Sequence, residues 1–99
     1  MAEYSAALER LLAVAQSDTG QAGRVASFIL AWWNGESFGG FDFADLFAVD
    51  ERIALDMATI FAWLAKQGGA VYPTEYRADI DQIIQQWRPE VWERSNAPA

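Results

Sequence analysis

Between Glu36 and Asp56 the chain carries six carboxylates, Glu36, Asp42, Asp45, Asp50, Glu51 and Asp56, with Arg52 the only base among them. Acids crowded in this way can bind a cation, share a proton as an acid–base pair, or attract a basic surface. The run from Asp42 to Asp50 does not match the D-x-[DN]-x-[DN]-G pattern of a calcium loop. The chain has no histidine and no cysteine, which removes the commonest transition-metal ligand, any zinc–thiolate site and the usual general base near neutral pH. Any acidic helix offers carboxylates at glycosidase-like spacing, so such a pair carries little information. Gly39-Gly40 lacks the Lys-Ser/Thr that follows a phosphate loop. The reading is a non-enzyme with no cofactor and no metal, in which the acids serve electrostatic attraction.

Fourteen acids against seven bases give a net charge of −7. That disfavours direct contact with nucleic acid, where Lys and Arg neutralise phosphates, and with an anionic membrane surface. A protein partner with a basic surface remains. A local explanation competes. Asp42 and Asp50 stand where helix N-caps belong, and Asp45 and Glu51 fall in first turns, where the helix dipole favours acids. Helix starts explain the residue types, but two neighbouring acidic starts still share one negative field. The candidate contact residues are therefore Asp42, Asp45, Asp50, Glu51 and Asp56, with Trp63 added below.

The elements that must position these residues are helical throughout. Tyr4, Leu8, Leu11, Leu12 and Ala15 recur at helical spacing and line one face of a first helix. Asp18 with Gln21 resembles a capping box opening a second, whose stripe is Val25, Phe28, Ile29 and Trp32 and whose end is marked by Gly35. After a glycine-rich connection, Asp42 caps a short helix from Phe43 to Ala48. Asp50 opens a further helix with Ile53, Met57, Ile60, Phe61 and Leu64 inward, stopped by Gly68-Gly69. Tyr72-Pro73 makes a corner. A last long helix carries Tyr76, Ile80, Ile83, Ile84 and Trp87, and Pro89 ends it or begins a final turn. With 53% hydrophobic and 14% aromatic residues, the composition supports a real core. The expectation is an all-α fold, a compact single-domain bundle (1–99) of four main helices plus short ones, with a frayed tail at 95–99. Trp32, Phe61, Ile83 and Trp87 should share one core, Trp87 packing against the helix that Asp50 opens. Phe41, Phe43 and Phe47 should seal it.

Two features exceed a plain amphipathic pattern. Trp32 and Trp33 point about 100° apart on a helix, so the apolar arc of the second helix is wide, as for a central helix or an exposed binding face. Leu55, Thr59 and Trp63 form a second stripe away from the Ile53–Leu64 face. Either the Phe38–Phe47 segment covers it, or it is a partner or homodimer surface. The start Met1-Ala2-Glu3-Tyr4 lacks a signal peptide's basic region. The nearly apolar run Val25–Trp33 is far short of the roughly 20 residues of a membrane span. A cytoplasmic protein is expected.

Arg24-Val25-Ala26, Trp32-Trp33-Asn34, Gly39-Gly40, Val49-Asp50, Tyr72-Pro73 and Trp87-Arg88-Pro89-Glu90 together resemble a family of small uncharacterised proteobacterial proteins. Members are often carried on plasmids, phages and integrative elements. The resemblance spans roughly residues 6 to 92 and implies no catalytic residues. It implies a context in which small acidic proteins bind and block host machinery, as anti-CRISPR proteins do. Two functions follow. One is an inhibitor that docks on a basic, nucleic-acid-binding surface of a host defence complex. The other is a structural or homodimerising accessory module. The chain is accordingly expected as a monomer or a homodimer.

Overall fold

The computed structural model describes residues 2–96, and among them it contains helices and no strand. The order is α1 (Ala2–Ala15), α2 (Ala22–Phe38), α3 (Phe43–Phe47), α4 (Glu51–Ala65), a 3-10 turn (Thr74–Tyr76), α5 (Arg77–Trp87) and α6 (Pro89–Asn96). The fold is all-α, with α1, α2, α4 and α5 as its four main helices. The frayed tail expected from residue 95 falls partly within α6, which continues to Asn96. The rest of that tail lies outside the described residues.

α1 sits between α2 and α4 and packs on both. Its wide apolar face explains this placement. Tyr4, Ala7, Leu8, Leu11, Leu12 and Ala15 are all buried, and the two alanines let the neighbouring backbones approach closely. Leu30 and Ile29 of α2, Met57 and Ile60 of α4, and Ile80 and Ile83 of α5 complete the core. Burying each such side chain stabilises the fold by about 1.5–3 kcal/mol. α2 also has neighbours on two sides, α1 and α5, the central placement of the two that the Trp32–Trp33 pair allows. Trp32 Nε1 donates to Val71 O at 2.8 Å and ties down the connection before α5. The Arg77 guanidinium lies 5.5 Å from the Trp33 ring centre.

Several expectations are corrected. Gln21 is the residue before α2 and makes no side-chain cap, so Asp18 and Gln21 form no capping box. α2 does not end at Gly35. Its backbone breaks at Asn34 (φ −167°, ψ 83°) and resumes to Phe38, and Gly39 (φ 95°) makes the exit that only glycine takes without strain. The Tyr72-Pro73 corner is present, with Thr74 N donating to Tyr72 O at 2.8 Å. It aims α5 onto α2 and α1 rather than onto α4. Trp87 therefore packs against Gly23 of α2, and its Nε1 donates to Ala15 O of α1 at 2.7 Å, where the sequence pointed to α4. Trp32 and Trp87 are partly buried against the core, and Ile83 is fully inside. Phe61 is not, being 60% exposed. It lies a 100° step from Ile60, on a flank that α1 does not reach.

Candidate functional site

α2 and α4 both rest on α1, and the space between their outer flanks is an apolar groove. Phe28 of α2, Phe41 of the connection and Phe61 of α4 meet edge to face there. The Phe28–Phe41 centroids are 5.5 Å apart and the Phe28–Phe61 centroids 5.7 Å apart. These three rings form a waist between two adjoining cavities. One, of about 260 Å³, is bounded by Phe43 and Leu46 of α3 and by Glu51, Leu55 and Ala58 of α4. The other, of about 210 Å³, lies beyond the waist, against Ala31, Trp32 and Leu64. The walls carry almost no polar atoms.

The short helix α3 makes the rim. Asp42 caps it, accepting from Ala44 N at 2.9 Å, as the sequence indicates. With only five residues and an anchor at each end, α3 can turn one edge to the bundle. Leu46 takes that edge. Phe43 stands at the rim, 73% exposed, and Phe47 points outward, 82% exposed. Of the three phenylalanines expected to seal the bundle, Phe41 alone does so. The loop that carries it is held by Arg88, whose Nε donates to Phe38 O at 3.0 Å and whose Nη2 lies 3.5 Å from Ser27 Oγ. The sequence pattern singles out Trp87-Arg88-Pro89 but gives no sign of this role, because its partners lie far away along the chain.

The six acids part company in space. Asp56 is buried, and it accepts two hydrogen bonds from Arg10, Nε at 2.9 Å and Nη2 at 2.8 Å. It belongs to the α1–α4 interface rather than to a surface patch. The carboxylate raises the Arg10 pKa further above its ordinary value, by hydrogen bonding first and by charge second. Asp45 lies 3.3 Å from Arg24 Nε, although that nitrogen is not aligned to donate a hydrogen bond to it. Asp50 does not cap α4 with its side chain. Its carboxylate accepts from Gln21 Nε2 at 3.0 Å while its backbone N–H donates to Gln21 Oε1, which pins the start of α4 to the start of α2. Glu51 stands on the groove wall and forms no ion pair among the described residues. Glu36 is exposed at the end of α2. The acids that remain uncompensated are Glu36, Asp42, Asp50 and Glu51.

The Leu55–Thr59–Trp63 stripe also divides. Leu55 turns into the groove, whereas Trp63 stacks on Tyr4 of α1, with centroids 3.8 Å apart and planes 15° from parallel. Thr59 Oγ1 donates to Leu55 O at 3.0 Å. The Phe38–Phe47 segment does not cover the stripe: Phe41, Phe43 and Leu46 face Leu55 across the groove and leave it 58% exposed.

Among the described residues no group of three or more His, Cys, Asp or Glu side chains is placed to hold a metal ion. No helix among them is long and apolar enough to cross a membrane. The chain belongs to a family of unknown function, DUF7673, whose model matches residues 5–88. No curated protein and no solved structure gives a significant match.

Proposed function

We propose that this is a non-catalytic binding protein that docks on a basic surface of a protein partner through the groove between α2 and α4 and its acidic rim. The observation that carries the reading is the exposure of Phe43 at the mouth of an apolar groove, with Phe47 exposed on the same short helix, in the most acidic part of a chain of net charge −7. Exposed apolar patches with a polar rim mark interaction surfaces, and aromatic side chains concentrate binding energy there. In the narrower form of the proposal, the protein is a cytoplasmic inhibitor carried by a mobile element. It covers a nucleic-acid-binding surface of a host defence complex as anti-CRISPR proteins do, its carboxylates standing where phosphates would. The sign of the charge and the size of the chain support that form.

The test begins with affinity purification from the native host, followed by titration of the identified partner against three proteins. These are the wild type, Phe43→Ser with Phe47→Ser, and Asp42→Asn with Glu51→Gln. Asparagine caps a helix as well as aspartate, so the last pair removes charge without loosening α3. The serine pair should weaken binding by about tenfold or more. The neutralised pair should slow association and flatten the salt dependence. Both should melt with the wild type. Unchanged binding by both variants, or an affinity indifferent to salt, would overturn the proposal. A mass that grows with concentration in light scattering and falls back in the serine pair would replace it with homodimerisation.

A further inference from the structure

The shape of the groove restricts what can occupy it, and on the reading that this groove is the docking face, we infer that its occupant is a basic amphipathic α-helix of the partner. Two observations lead there. First, the groove holds two cavities rather than one, divided by the Phe28–Phe41–Phe61 waist. Along α4 the first is bounded by residues from Glu51 to Phe61 and the second by Phe61 and Leu64. Their centres are therefore about six to seven residues apart, or roughly 10 Å at 1.5 Å per residue. Two turns of a helix lying alongside cover that distance. Large apolar side chains at i and i+7 would fill the cavities, and a small one at i+3 or i+4 would cross the waist. In a β-strand the same distance is about three residues, which puts the two side chains on opposite faces.

The second observation is the lack of polar atoms in the walls. A β-strand laid in the groove leaves its buried backbone N–H and C=O groups to be satisfied by whatever it docks on. The ring waist is all phenylalanine, and the one indole N–H near the groove, that of Trp32, is already given to Val71 O. An α-helix satisfies its own backbone and can lie on such a surface without loss. Charge then fixes direction. Glu51 and Asp42 stand at the α3 end, Glu51 in the wall of the larger cavity and Asp42 at the N-cap of α3, whereas the smaller cavity is lined by Phe28, Ala31, Trp32, Phe41, Phe61 and Leu64 with no acid among them. The occupant's Lys and Arg residues belong beside its first anchor. A second copy of this chain fits poorly, because it would bring two sets of uncompensated acids together.

Peptide display tests this directly. A random library of peptides about 16 residues long, roughly 24 Å as a helix, is selected on the folded protein and on Ala58→Trp. The indole in that variant fills the larger cavity from an exposed position on α4, and circular dichroism confirms that its fold is kept. The expected winners carry large apolar residues at i and i+7, Lys or Arg near the first, and no internal proline. They should lose about tenfold or more in affinity on Ala58→Trp, which corresponds to about 1.4 kcal/mol. Basic, groove-dependent winners rich in proline or without helical period would overturn the helix while leaving the basic-partner reading in place. Acidic winners, winners indifferent to Ala58→Trp, or no enrichment at all would overturn both.

Discussion

Replacing Gly23 with alanine should destabilise this protein, although alanine is the better helix former. Gly23 lies in the first turn of α2, where the Trp87 ring rests on its backbone. An added Cβ would meet three carbons of that ring at 3.2, 3.5 and 3.7 Å, against about 3.5–4.0 Å for an ordinary carbon contact. The ring would have to retreat by a few tenths of an ångström. It is not free to do so, because Trp87 Nε1 holds Ala15 O at 2.7 Å and the next residue, Arg88, is bonded to Phe38 O. Alanine in place of glycine gains at most about 1 kcal/mol in a helix interior, and less in a first turn. Overpacking of a fixed neighbour costs about 1–3 kcal/mol. The net expectation is a loss of about 0.5–2 kcal/mol, and each kcal/mol lowers the melting temperature of a domain this size by about 4–8 °C. Thermal unfolding followed by circular dichroism measures it, in the wild type and in a Trp87→Phe background. The smaller ring of phenylalanine leaves room for the Cβ, so there Gly23→Ala should stabilise. A rise in melting temperature in the wild-type background, or the same change in both backgrounds, would refute the argument that Trp87 is pinned against α2.

Phe61→Ala should cost about 1 kcal/mol or less, because the ring is already 60% exposed, while Leu30→Ala should cost about 2–5 kcal/mol; urea titration compares them. Asp56→Ala should lower the melting temperature below that of Glu51→Gln, since it removes both hydrogen bonds that join α4 to Arg10 of α1, a loss moderated by the water that reaches the 57% exposed Arg10 side chain, and equal melting temperatures would contradict that role. Tyr76 donates its hydroxyl to Glu9 Oε2 at 2.8 Å, and that bond, before burial and nearby charge, pushes its pKa up to about 12. Between pH 10 and about 12 the unfolded chain gives up this proton while the folded one keeps it, so the contribution of this bond to stability is present below pH 10 and disappears as pH rises through that window. Burial also raises Tyr4, so absorbance titration of the tyrosines should show late titration, of which the part that belongs to Tyr76 returns toward the ordinary range in Glu9→Ala.

The sequence by itself determined the helices and their inward faces. Each depends on local spacing, and the stripes of Leu8–Leu11–Leu12, Val25–Ile29, Met57–Ile60 and Ile80–Ile83–Ile84 are buried because the period of side chains along a helix is the same wherever that helix goes. The Asp42 cap and the Tyr72-Pro73 corner were legible for the same reason, since every group in them is a neighbour in the chain. Tertiary structure decided the rest. Whether a flank residue such as Phe61 or Trp63 is covered depends on which helix lies beside it. α5 chose α2 over α4, so one flank of α4 became the wall of a groove. Asp56 reads in the sequence as one more surface acid, because its partner Arg10 lies 46 positions earlier along the chain. The candidate site itself was half visible. Trp32, Phe41, Asp42, Phe43 and Leu46 stand close together in the sequence, whereas Phe28, Glu51 and Phe61 come to the groove from outside that stretch. The groove exists only because α2 and α4 lean apart across α1, and a helix of five residues could not close it.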